Sequence, residues 1–244
     1  MLYSADGPEN KASYAGGKGD ATGHQAVGWR RNVDVDAVEQ QIEQAVADEG
    51  QSGRLRRALR AHARSQGRRV EESDLAGAVG FVVDYVRHVP VLMRDGLETA
   101  RIAGLEPEMS SVLEAAVSYW TMAEDIIPDR LGLLGVLDDA YCSLTLIQGV
   151  SDRHEKETGR RLFSPDLDAA NEAMRRLIGE PVASQLDMFV GSKFDTDPMI
   201  QMVRALTAVS SDGDGLRLPA DPGIWGGQPV DEVVRDYLGS VGLA

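Results

Sequence analysis

The sequence predicts an all-α chain, a compact multi-helix bundle of about seven to nine helices. Apolar residues recur at spacings of three and four along most of its length, and no stretch alternates with period two. Ala, Val and Leu are abundant and aromatic residues make up only 5%, which suits helix packing better than a β-sandwich. Gly and Pro fall between the periodic segments, where they stop helices.

The elements follow in order. Residues 1–33 are rich in Gly, Ser, Ala and Asp without periodicity and read as a flexible tail. Within it, Ala15-Gly16-Gly17-Lys18-Gly19-Asp20 faintly resembles a phosphate loop but lacks the required spacing and a preceding strand. A helical N-terminal segment is expected over 34–72. Its first helix starts at Asp34, sets Val35, Val38, Ile42 and Val46 on one face, and stops at Gly50. Its second is Arg-rich: Arg54, Arg56, Arg57, Arg60, Arg64, Arg68 and Arg69 surround a thin stripe of Leu55, Leu59 and Ala63. Such a face can bind an anionic partner or pair with the chain's own carboxylates.

A helical core is expected over 73–150. Asp74 suits an N-cap, and Val79, Val82, Val83 and Val86 carry the helix to a break or kink at Pro90. Helical spacing resumes from Leu92 and ends at Gly104. Met109, Val112, Ala116, Tyr119 and Ala123 form the next stripe, which Pro128 should end near Glu124. Pro128 then opens a short turn, Gly132 and Gly135 permit sharp geometry, and a helix resumes at Leu137. Ile126, Ile127, Leu131, Leu134 and Leu137 are expected to plug this joint.

A C-terminal helical extension is expected over 151–244. Residues 151–161 are polar and read as a surface excursion. Ser164 and Pro165 suit the N-cap and first position of a helix, Pro181 to about Val190 reads as another, and Asp197-Pro198 starts one more. Residues 210–228 form a long loop. Asp212-Gly-Asp214-Gly lacks the remaining ligands of a calcium loop. A short helix, Val230 to Leu238, closes the chain.

The formal charge of −14 opposes wholesale binding of nucleic acid or anionic membrane. Cys142 is the only cysteine, so neither an internal disulfide nor a Cys-x-x-Cys knuckle exists. The opening residues lack a secretory pattern, and the cleanest apolar run, about Leu75 to Val83, falls short of the roughly 20 residues of a membrane span. A cytoplasmic protein is expected, with peripheral membrane contact as the alternative. Only four basic residues are Lys, an Arg bias that points to a GC-rich bacterial genome.

The chemistry-bearing cluster is Asp125, Asp129, Asp138 and Asp139, set among Ile, Leu, Pro128 and Gly135. Two readings stand. The aspartates tie off helix ends, where free N–H groups and the helix dipole favour negative charge. Alternatively their oxygens converge on a hard cation, Mg²⁺ or Ca²⁺. No cofactor loop, Ser/His/Asp arrangement or cysteine nucleophile is evident, which points away from an enzyme.

The stretch from Tyr119 to Asp139 resembles the YkvA-like proteins, also called the DUF1232 family. Their core reads approximately Tyr-x-x-Ser-Pro-x-Asp-Leu-Ile-Pro-Asp-x-Ile-Pro-x-Leu-Gly-x-Leu-Asp-Asp. Tyr119, Asp125, Ile127, Pro128, Asp129, Leu131, Leu134, Gly135, Leu137, Asp138 and Asp139 match it without a gap. Met122-Ala123 stands in place of Ser-Pro, and Gly132 in place of the second proline. The resemblance extends over about residues 80–148. It implies a small bacterial helical domain, membrane-associated in some members, with no established activity. The expected function is therefore a non-enzymatic interaction or scaffold protein with a protein partner or a second copy of itself. The alternatives are a divalent-metal enzyme or sensor using the aspartates, and a nucleic-acid or anionic-membrane binder using the Arg54–Arg69 helix.

Overall fold

A computed structural model describes residues 34–121, 126–162, 166–194, 196–211 and 225–244, all within one compact unit, Asn32–Ala244. The proposed tail, the Gly-rich Ala15–Asp20 stretch, Ser164, Pro165 and the Asp212–Asp214 stretch lie outside the described residues. Among those described the protein is all-α, with nine α-helices and no strand. They are α1 (Val35–Ser52), α2 (Arg54–Ser65), α3 (Glu72–Ala103), α4 (Glu106–Val117), α5 (Leu137–Thr158), α6 (Asp168–Ile178), α7 (Val182–Phe194), α8 (Asp197–Ser211) and α9 (Val230–Leu238). A 3₁₀ turn, Asp129–Leu134, sits between α4 and α5.

Two long helices organise the bundle. Helix α3 packs against α1, α2, α4, α5 and α9, whereas α5 meets α3, α4, α6, α7 and α8. Their stripes, including Val82, Tyr85, Val86, Val89, Leu92 and Met93 on α3 and Leu137, Leu144 and Ile147 on α5, are fully or nearly fully buried. By length and composition alone α3 passes for a membrane span, with mean hydropathy 1.4 in its most apolar stretch. Many of those apolar residues are the ones packed inside the bundle.

Several boundaries differ from the sequence reading. Pro90 lies inside α3, which runs on without a break. Proline removes one backbone bond, but buried residues on both sides, Val86, Val89, Leu92 and Met93, continue one stripe and hold the helix together. Asp74 lies in the first turn of α3, after an N-cap at Glu71. Helix α1 passes through Gly50 and stops at Gly53. Residues 151–158 are helical, and Ser151 and His154 are buried. The His154 Nδ1–H donates to the Arg160 carbonyl at 2.8 Å, just beyond the helix end. Within α5, the missing side chain of Gly149 makes room for the Phe194 ring, which would lie 2.4 Å from a Cβ there. Helix α6 begins at Asp168, where Asp166 Oδ1 accepts the Asp168 N–H at 3.0 Å. Helix α9 coincides with the expected Val230–Leu238.

The start of α2 has a cap that no local pattern announces. The buried Glu49, near the end of α1, accepts the backbone N–H groups of Leu55 (2.9 Å) and Arg56 (3.2 Å). Those donors have no intrahelical acceptor, and a carboxylate there also suits the helix dipole. Glu49→Ala is expected to lower stability by about 1–2 kcal/mol. Urea unfolding followed by circular dichroism tests this; an unchanged midpoint would remove the cap from the account.

Candidate functional site

The site is the joint between α4 and α5. Helix α4 ends at Val117, well before the expected Glu124. The Ser118 hydroxyl donates to the Ala115 carbonyl at 2.7 Å and helps close the helix end. Tyr119 and Trp120 then leave the helical path and turn their polar tips onto α5. The Trp120 Nε1–H donates to Ser143 Oγ (2.8 Å), which donates in turn to the Ala116 carbonyl (2.7 Å).

Asp138 is fully buried and ties the joint from the α5 side. Its Oδ2 accepts the Tyr119 hydroxyl at 3.1 Å and the Ile127 N–H at 3.2 Å. The same Tyr119 oxygen accepts the Ile126 N–H at 3.1 Å. One carboxylate and one phenol thus take two successive backbone donors of the turn. Burial and the neighbouring Asp138 carboxylate push the Tyr119 hydroxyl above its ordinary range, so it stays a donor at physiological pH. Its ring meets Phe189 of α7 edge-on, with centroids 5.1 Å apart.

Asp138 accepts a backbone N–H, as a cap would, but not at a helix start. The N–H groups come from the 126–127 turn and not from the first turn of α5. Asp139 is buried beside it. Asp125 lies outside the described residues, as does the side chain of Asp129, whose backbone opens the 3₁₀ turn. Two of the four carboxylates of the cation reading are therefore placed. Among the described residues no group of three or more His, Cys, Asp or Glu is set to hold a metal ion.

Pro128 precedes the 3₁₀ turn in extended conformation, and its carbonyl accepts the Leu131 N–H at 2.9 Å. Gly135 closes the turn by donating to the Gly132 carbonyl at 2.7 Å. The plug residues are shifted from expectation. Leu133 and Leu137 are buried, Ile127, Leu131 and Leu134 only partly so, and Ile126 is exposed. A 3₁₀ turn has three residues per turn, and Gly132 reverses the backbone within it, so α-helical spacing misplaces the stripe.

A second polar tie escaped the sequence reading. Asp187 of α7 accepts the Tyr141 hydroxyl at 2.6 Å and the Arg175 Nε–H at 2.9 Å, linking α5, α6 and α7. No spacing rule pairs residues so far apart along the chain. Cys142, buried near this tie, has its thiol pushed well above the usual range by burial and by the charges of Asp138, Asp139 and Asp187. It is held as a thiol, the poorly nucleophilic form.

On the Arg-rich helix, Arg56 (2.9 Å) and Arg60 both pair with Glu72. Arg54 donates to the Arg130 carbonyl (2.9 Å) and Arg57 to the Ser52 carbonyl (2.6 Å). Helix α2 ends at Ser65, short of the expected Arg69, and from beyond its end Arg68 donates to the Gly239 carbonyl (2.7 Å). Arg64 and Arg69 are exposed. Helix α2 thus fastens the 3₁₀ turn to the bundle, and the segment after it fastens the C-terminal end. No protein-family model matches this chain, and no curated protein or solved structure matches it either.

Proposed function

We propose that this chain is a YkvA-like helical protein of the bacterial cytoplasm that works without enzymatic chemistry, by contact with protein partners. One observation carries the reading. The fully buried Asp138 is engaged in holding Tyr119 and the 126–127 turn. The motif is then a frame that fixes how α4 enters α5, and the work falls to the surface of the bundle. Ile102 and Met188 are large apolar side chains left 74% and 69% exposed there.

Photo-crosslinking in living cells tests this. A benzoylphenylalanine placed at position 102 or 188 of the full chain is expected to give discrete protein adducts. Absence of adducts at both positions would count against the reading. So would a rise in melting temperature with Mg²⁺, Ca²⁺ or Mn²⁺ that disappears in an Asp138→Asn/Asp139→Asn variant, since that outcome belongs to a metal-dependent protein.

A further inference from the structure

Away from the aspartate joint, α3 and α9 border a groove of about 350 Å³ with a mixed lining. Gly77, Gly80, Phe81 and Asp84 fall on one face of α3. A Cβ on Gly77 would lie 3.1 Å from the Tyr237 ring, so its absence lets Tyr237 of α9 settle against α3. Among the described residues, a Cβ on Gly80 would meet nothing within 4 Å, which leaves space above the helix. Trp225 lies across Phe81 and His88, with ring centroids 5.4 Å apart in both pairs and planes inclined by 13° and 26°. The buried Trp225 Nε1–H has no acceptor among the described residues, so stacking holds the indole.

One carboxylate stands in this aromatic setting. Asp84 is half-buried, and among the described residues it makes no hydrogen bond or ion pair. The nearby Arg87 is committed elsewhere, donating to both oxygens of Glu43 at 2.7 Å each. Burial raises the Asp84 carboxyl, and Arg87 offsets this in part. A group that completes this site should carry positive charge and an apolar skeleton. A neutral guest would remove more water from Asp84 without replacing it. An anion would face both Asp84 and a chain of net charge −14.

We propose that the groove binds a small organic cation, an ammonium or guanidinium whose charge faces Asp84 and whose carbon skeleton lies against Phe81, Trp225 and Tyr237. Aromatic faces attract cations through their quadrupole, and a neighbouring carboxylate adds direct charge pairing. The volume lies at the small end of ligand pockets and suits a compact amine.

Titration calorimetry on the full chain tests the proposal, with the tryptophan indole N–H resonances as the site reporter. The probes are choline, butylguanidinium and 3,3-dimethylbutanol, the uncharged counterpart of choline. Saturable binding of a cation at millimolar concentration or below is expected, with the alcohol at least about tenfold weaker. Asp84→Asn should weaken cation binding about tenfold or more. Gly80→Leu should fill the groove and abolish binding while the melting temperature stays near that of the wild-type chain. Acetylated, amidated lysine and arginine form a further arm. Tighter binding of these than of the free amines supports the site and assigns its guest to a basic side chain of a partner. Equal binding of alcohol and choline, wild-type affinity in Asp84→Asn, or no saturable binding of any cation would each overturn the proposal.

Discussion

Asp138→Ala is expected to lower the free energy of unfolding by about 3 kcal/mol. The reason lies in what the carboxylate holds. Its Oδ2 accepts a buried phenol and a partly buried backbone N–H, and both donors stay in place when the acceptor is removed. A donor left without a partner in the interior loses its hydration and gains nothing in return, at about 1–3 kcal/mol each. The partly buried Ile127 N–H can recruit water more readily than Tyr119, whose ring is enclosed. Tyr119→Phe should lose less, about 1–2 kcal/mol, because the change leaves Asp138 bonded to Ile127 and frees only the Ile126 N–H near the surface. The double variant should lose less than the sum of the two, since both single changes delete the same Tyr119–Asp138 bond. Asp138→Asn keeps one acceptor oxygen and should recover part of the loss. Urea unfolding by circular dichroism measures all four. An Asp138→Ala variant within about 0.5 kcal/mol of wild type would remove the joint's central tie.

The fold class was legible because burial writes itself into sequence as spacing. Val35, Val38 and Ile42 mark α1, and Val230, Val233, Val234 and Leu238 mark α9, and these residues are buried as the stripe requires. Boundaries were legible only where a local rule acted unopposed. Pro90 obeys a local rule that disfavours helix, but the packing of α3 against five other helices outweighs it. Residues 151–158 read as a surface excursion and instead continue α5, where Gly149 seats Phe194, a residue 45 positions away. The site followed the same division. The aspartate motif was visible as residue types at fixed intervals. That Asp138 would serve the 126–127 turn, that Glu49 would cap the helix after its own, and that Asp187 would gather Tyr141 and Arg175 were not visible. Each depends on where a distant backbone comes to rest, which hydrophobic periodicity does not encode.

Gly132 offers the second large effect, and it bears on the resemblance itself. Its backbone stands at φ 66° and ψ −131°, inside the 3₁₀ turn. An L side chain there costs about 1–3 kcal/mol in backbone strain. There is room for a methyl group: the nearest atom to a Cβ would be Asp48 Cβ at 3.6 Å. The loss in Gly132→Ala should therefore be conformational and fall within that range. Gly132→Pro is a different change. Proline fixes φ near −65°, a rotation of about 130° from the observed value. The Gly132 carbonyl accepts the N–H groups of Gly135 at 2.7 Å and Val136 at 3.3 Å, the step that leads into α5. Turning that carbonyl away would unmake the start of the helix that carries Asp138. Gly132→Pro should accordingly lose more than about 3 kcal/mol, exceeding the alanine variant. The YkvA-like pattern has proline at this position, so the result separates two geometries. A severe loss means that this chain uses a glycine-dependent version of the turn, with Asp138 held by the same framework. A Gly132→Pro variant as stable as wild type would show that the joint does not need a left-handed residue at this position.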